Sequence, residues 1–436
     1  ELLWATSMPC FITDEDAIPI ARYGTSNVAR MKSVYREGLA ARYGRMMQAI
    51  SGVHFNYSFP ERLWEAYEAA DESRSARRDF ISSSYFDLLR NYRRYGWIVL
   101  YLFGVSPVVC RSFLRGRDAT LPELVPGTLY EPYATSLRMS DIGYRNRNQA
   151  GLAISVNSLD EYVRDLTRAI MTPHPPYQKL GVQVDGRYRQ LNANVLQIEN
   201  EYYSYIRPKR VARSGERPTK ALRRAGVEYV EVRALDVSAF DPVGVNQHKL
   251  RFLEAFLALC LLKESAPIDS GEEAALDANH LIVARRGREP GLELTREGRR
   301  ISMTSWAAEL LDSMAGICEL LDHGDPARPY AQSLATQAAK IRDVKLTPSA
   351  RLLAELRSTG EGFFDLALRM SRLHKAYFLD LDAPRGGAGA GLLGGVAAHR
   401  MAELEGEAAE SHEKQRAIEA GETESFEQYL ARYFAD

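Results

Sequence analysis

Residues 227–236 read Val-Glu-Tyr-Val-Glu-Val-Arg-Ala-Leu-Asp, and this alternation decides the fold class because its period is two. Side chains on a strand point to opposite faces in turn. Tyr229, Glu231, Arg233 and Leu235 therefore share one face, and Glu228, Val230, Val232 and Ala234 the other. A carboxylate and a guanidinium sit two residues apart on one sheet surface. Alone, such a pair is more often a solvated ion pair than a site, so a functional reading needs further residues facing the same way.

Residues 51–59, Ser-Gly-Val-His-Phe-Asn-Tyr-Ser-Phe, carry a second strict alternation. Val53, Phe55, Tyr57 and Phe59 alternate with His54, Asn56 and Ser58. One face is apolar, and the other carries an imidazole, an amide and a hydroxyl in a row. A single strand histidine is usually a satisfied structural residue; the polar triplet points instead to a site. A third feature is the basic run Ile206-Arg207-Pro208-Lys209-Arg210 with Arg213, which suits a nucleic-acid patch, a phosphate cradle or a solvated face. The 56 basic and 57 acidic residues leave a net charge of −1, which removes the long-range steering a nucleic-acid surface uses.

Around these strands, helical spacing covers residues 29–50, with a basic side, and 61–103, where Trp64, Tyr85 and Trp97 belong to a broad apolar stripe of the core kind. A further helix is expected over 158–170, capped by Asn157 or Ser158. A hairpin is expected over 182–191 about Asp185-Gly186, and a short helix over 219–224 ending at Gly226. Met8 to Ile12 is a candidate strand, and 104–133 reads as a proline-bearing loop. After residue 245 the spacing is helical at 247–262, 305–321, 331–344, 350–377 and from 397 onward, with few strand signals. Residues 385–396 contain a formal GxGxxG, but no strand leads into it, so it reads as a flexible linker rather than a dinucleotide site.

The 436 residues are 45% apolar and 26% charged, an ordinary globular balance. The four cysteines, Cys10, Cys110, Cys260 and Cys318, form no CxxC pair and suit reduced thiols in a cytoplasmic protein. No apolar run is long enough to cross a bilayer, and no signal-peptide pattern opens the chain.

Several long strings resemble the bacterial glutamate–cysteine ligase family: Ser7-Met8-Pro9-Cys10, Tyr23-Gly24-Thr25-Ser26-Asn27, Tyr35-Arg36-Glu37-Gly38-Leu39, and Ser51-Gly52-Val53-His54-Phe55-Asn56. Others are Pro132-Tyr133-Ala134-Thr135-Ser136-Leu137-Arg138, Asn194-Val195-Leu196-Gln197-Ile198-Glu199-Asn200-Glu201, Ile206-Arg207-Pro208-Lys209-Arg210, and Val230-Glu231-Val232-Arg233 followed by Leu235-Asp236. The resemblance runs from the first residues to the acidic, aromatic tail.

The resemblance implies an α+β fold. In it, a glutamine-synthetase-like antiparallel sheet funnel occupies residues 1–245 and a mainly helical layer occupies 246–436. It implies a cytoplasmic monomer that uses ATP and several Mg²⁺ ions, Mn²⁺ being the other ion considered, to join L-glutamate to L-cysteine through a γ-glutamyl phosphate. By the family pattern His54 and Glu231 are metal ligands and Arg233 stabilises the transferring phosphate; Asn56, on the same face as His54, is expected as a nucleotide or metal-shell contact. Tyr35, Tyr144 and Tyr203 line the cysteine pocket. Arg138 binds an amino-acid carboxylate, and Asn200 is a weaker substrate contact.

Family members also carry an N-terminal strand with a Glu-x-Glu pair that holds most of the magnesium, and this chain begins after it. The expectation is therefore an N-terminally truncated chain, inactive as it stands. The alternatives are a related carboxylate–amine ligase with another acceptor, and a non-catalytic nucleotide-binding protein.

Overall fold

The computed structural model describes residues 1–71, 75–115, 121–143, 152–382 and 396–435. Its organising element is a three-stranded antiparallel sheet of β1 (Val53–Tyr57), β2 (Ile206–Lys209) and β3 (Tyr229–Leu235), with β3 in the centre. Asn56 and Arg207 both lie directly opposite Glu231, and Lys209 lies opposite Tyr229. The polar alternations of three strands distant in sequence therefore coincide on one face.

Between Val53 and Phe55 the register slips: Val53 pairs with Leu235, but Phe55 pairs with Val232. The extra β3 residue breaks the two-residue period. Leu235 consequently enters the main core beside Ala234 and does not follow the alternation that its sequence suggested.

The other sheet face is apolar. Val230, Val232 and Ile206 are buried in the main core, where Phe55 and Tyr57 pack at its edge. Beneath them lies the helix Trp97–Phe103, Trp-Ile-Val-Leu-Tyr-Leu-Phe, buried at every position, as a helix apolar all round must be. Behind it the same core takes in Phe252, Phe256 and Met314 of the helices Gln247–Leu262 and Met303–Leu321, so one core joins the sheet region to the helical layer. Among the described residues no helix is long and apolar enough to cross a membrane.

Most expected elements are present. The helix Leu159–Met171 is capped by Ser158, and Asp185 and Gly186 take the positive φ values of a primed hairpin turn. Four expectations change. Met8 to Ile12 forms no strand. The segment read as a loop carries a small sheet of Val108–Cys110, Glu123–Val125 and Thr128–Tyr130, its strands too short for a periodic signal. The helical third contains a hairpin, Glu293–Arg296 with Arg299–Ser302. The span 350–377 is two helices, separated where Gly360 adopts a left-handed conformation after Thr359. The glycine-rich stretch 385–396 lies outside the described residues but for its last position.

Lys340 gives this core a pH dependence. Its ammonium donates to the Leu102 carbonyl at 3.0 Å and sits 5.2 Å from the centre of the Phe103 ring. Burial, with Lys249 and Arg351 nearby and Asp241 opposing them, pushes it down to about 7. An unfolded lysine titrates near about 10.4, so between these values the unfolded chain binds more protons and stability rises with pH through this group. Lys340→Met is expected to remove that contribution. Its stability advantage over the parent should be largest at pH 6 and shrink by pH 9 in urea denaturation; a constant difference would show that Lys340 stays charged in the fold.

Candidate functional site

The β1–β3 face presents one carboxylate among cations. Glu231 is buried, and its Oε2 accepts from Arg233 Nη1 at 3.0 Å. Its Oε1 lies 3.5 Å from His54 Nδ1 and 3.9 Å from Lys209 Nζ. Burial disfavours the charge, but His54, Lys209 and Arg233 outweigh it and hold the carboxyl well below the usual range. Lys209 is pushed down by burial and by Arg207 and Arg233, against the pull of Glu231. Arg233, Lys209 and Arg207 around one anion leave an electropositive floor suited to phosphate. Asn56 is exposed on this face, directly opposite Glu231.

Beside the floor a cavity of about 100 Å³ has Tyr35, Tyr43, Asn200, Glu201, Tyr203 and Arg207 in its wall. Tyr35 and Tyr43 stand eight residues apart on one side of the helix α1 (Asn27–Tyr43). The structure thus brings Tyr35 together with Asn200 and Tyr203, which lie far from it in sequence. Tyr203 donates its hydroxyl to Met139 Sδ at 3.6 Å. Tyr43 donates to Glu201 Oε1 at 2.6 Å, and the wholly buried Arg42 reaches the same oxygen at 3.0 Å. Tyr144 lies outside the described residues.

Arg207 joins the two regions, since it lines the cavity and stands opposite Glu231. It donates to the carbonyls of Asn200 and Tyr202, and its Nε has no hydrogen-bond partner among the described residues. Burial, and then Arg233, push its guanidinium below the ordinary value. Sequence reasoning treated the basic run as a block, and the structure divides it. Arg207 and Lys209 belong to the site, whereas Arg210 donates to the Ala225 and Gly226 carbonyls at the end of the helix Pro218–Ala225. The alternation Ile206-Arg207-Pro208-Lys209 carried that signal.

Arg138 is placed differently from a substrate-facing arginine. It is buried, with Nε donating to Asp236 Oδ1 at 2.7 Å and Nη2 to the carbonyls of Leu235 and Arg233 at 2.8 and 3.1 Å. A side chain at Gly52 would strike Arg138 Nη1, since a Cβ there comes within 2.6 Å. The carboxylate Arg138 holds here is Asp236, which also accepts from Val105 N, Ser106 Oγ and Ser136 Oγ. This network pins the end of β3.

The glutamate–cysteine ligase family pattern matches residues 1–283. The chain is 47% identical to a glutamate–cysteine ligase of Alcanivorax borkumensis, over 100% of this chain and 82% of that protein. It is 50% identical to one of Pseudomonas putida, over 88% and 73% respectively. The crystal structure of a Francisella tularensis glutamate–cysteine ligase in complex with AMP superposes with a TM-score of 0.88 at 35% identity, covering 99% of this chain and 82% of that one. A bifunctional glutathione synthetase from Pasteurella multocida shares the fold at a TM-score of 0.66 and 21% identity, over 86% of this chain and 42% of that one. With its antiparallel sheet and helical layer of the expected α+β type, and with these relatives along its length, the chain belongs to the glutamate–cysteine ligase family.

Proposed function

We propose that this protein joins the γ-carboxylate of L-glutamate to the amine of L-cysteine, with the phosphates of ATP on the β1–β3 floor and cysteine in the adjoining cavity. The observation that carries this assignment is Glu231 set among Arg233, Lys209 and His54, joined through Arg207 to an aromatic cavity. In the first step a glutamate γ-carboxylate oxygen attacks the γ-phosphorus of ATP, the bond to the β–γ bridging oxygen breaks, and ADP leaves. In the second, the cysteine nitrogen attacks the acyl carbon, the carbon–oxygen bond to phosphate breaks, and the amine gives up a proton.

Arg233 and Lys209 offset the charge of the transferring phosphoryl group. Tyr35 and Tyr203 wall the cysteine. Arg207 takes the acceptor carboxylate, for which a planar fork is suited, and Asn56 contacts the nucleotide. Arg138 acts indirectly, by holding β3 through Asp236.

Magnesium belongs to the same proposal. His54 and Glu231 offer a nitrogen and a hard oxygen 3.5 Å apart, while no group of three His, Cys, Asp or Glu residues suited to a metal occurs among the described residues. Such a pair fits the edge of a site for an ion that takes its other ligands from phosphate and water. When bound, Mg²⁺ or Mn²⁺ supplies neutralisation of phosphate charge. A cytoplasmic location fits the free thiols of all four cysteines.

The test is glutamate-dependent ADP release from the natural protein with cysteine, 2-aminobutyrate and unrelated amines. Cysteine should be preferred, with 2-aminobutyrate next. Equal rates with unrelated amines would reject the acceptor, and nucleotide binding without glutamate-dependent turnover would leave a binding protein.

A further inference from the structure

The helix α1, which carries Tyr35 and Tyr43, begins with a weak N-terminus of its own. Ser26 Oγ accepts from Ala29 N at 3.4 Å, and the first turn contains no acidic residue. The positive end of the helix dipole is instead met from the far end of the chain. Glu419 Oε1 accepts from Thr25 N at 2.9 Å, and Glu422 Oε2 accepts from Asn27 N. Asn27 Nδ2 donates to the Glu424 carbonyl at 2.9 Å. Gly24 stands against the Glu419 carboxylate at φ +114°, a backbone conformation that residues with a side chain rarely adopt.

An apolar contact continues the junction along α1. The helix α2 (Phe426–Phe434) opens with a capping box of Ser425 and Gln428. Its Phe426, Tyr429 and Tyr433 are buried in one cluster with Met31 of α1, and Tyr35 packs at the edge of that cluster. The Arg30 guanidinium lies 4.4 Å from the centre of the Phe426 ring. The end of the chain thus grips the helix that forms one wall of the cavity.

From this arrangement we infer that Glu419 and Glu422 are positioning residues for the acceptor pocket: by completing the N-terminus of α1 they set where Tyr35 and Tyr43 stand. The inference rests on the reading that the cavity takes cysteine. Neither carboxylate touches the cavity, so their effect passes through the helix and falls on acceptor binding, while the β1–β3 floor is untouched.

The test uses Glu422→Ala and the double variant E419A/E422A, with Glu410→Gln as a control on the exposed helix Val396–Ala420, where Glu410 pairs with Lys414. Steady-state kinetics for each substrate are combined with hydrogen exchange of the amides of residues 25–31. Loss of the two charged acceptors should speed that exchange and raise KM for cysteine by about three- to tenfold, with KM for ATP and kcat within about twofold of the parent. The control should change neither. Unchanged exchange would overturn the clamp. Faster exchange with every KM unchanged would make the contact structural only and overturn the positioning role. Faster exchange with a raised KM for ATP or glutamate alone would keep the clamp but reject cysteine as the occupant of the cavity.

Discussion

Arg233→Ala and Glu231→Gln are each expected to lower kcat by about 10²–10³-fold, with the circular-dichroism spectrum of the parent retained. Arg233 reaches Glu231 at 3.0 Å from the central strand; on the proposed reading its guanidinium offsets the phosphoryl charge, and alanine removes the donor without disturbing the pairing of β3. Glu231→Gln acts in the opposite sense. It leaves Arg233 and Lys209 without their shared anion, which costs their orientation, and puts a neutral amide, a weaker metal ligand than a carboxylate, beside His54.

The pH dependence separates the two variants further. Because Glu231 is held well below the usual carboxylate range, its contribution to stability is complete above the unfolded carboxylate value and is lost only as the pH falls through its much lower folded value. It therefore stays ionised across neutral pH, and the acid limb of the parent's turnover profile should survive in Glu231→Gln. Near-normal turnover in either variant would show that the phosphate floor lies elsewhere.

Asp236→Asn has the largest expected effect on stability. The Arg138 and Asp236 side chains are 4% and 0% exposed, and removing one member of a buried ion pair typically costs about 3–5 kcal/mol because the other is left uncompensated. Asparagine keeps the shape, but its amide nitrogen cannot accept from the donors that converge on Asp236, namely Val105 N, Ser106 Oγ, Ser136 Oγ and Arg138 Nε. The measurement is the shift in urea midpoint at pH 7. A midpoint equal to the parent's would mean that the network contributes nothing beyond the packing around it.

Much of the site was legible because its polar residues alternate on strands. Period alone puts His54 and Asn56 on one face of their strand and Glu231 and Arg233 on one face of theirs, only the family resemblance implies that the two faces meet, and the structure pairs those strands as antiparallel neighbours. Arg207 and Lys209 carried the same alternation but were submerged in a run of five residues whose last arginine closes a helix. The misreading of Leu235 has a different origin, since a bulge depends on the partner strand and leaves no trace in the period of one strand. The short strands of residues 108–130 were invisible for a related reason: three residues give no period, and pairing alone makes them strands.

By itself the sequence determined that two polar-faced strands exist, that the last third is helical, and that the chain resembles one family of ligases, because alternation, helical spacing and long matching strings are local properties. The tertiary structure alone decided that Arg207 connects the sheet floor to a cavity, that Arg138 holds Asp236, and that the end of the chain grips the helix bearing Tyr35. Each of these joins residues distant in sequence, 98 positions for Arg138 and Asp236 and 395 for Asn27 and Glu422. What selects such a contact is which buried or helix-terminal charge most needs a partner, and that need exists only once the chain has folded around it.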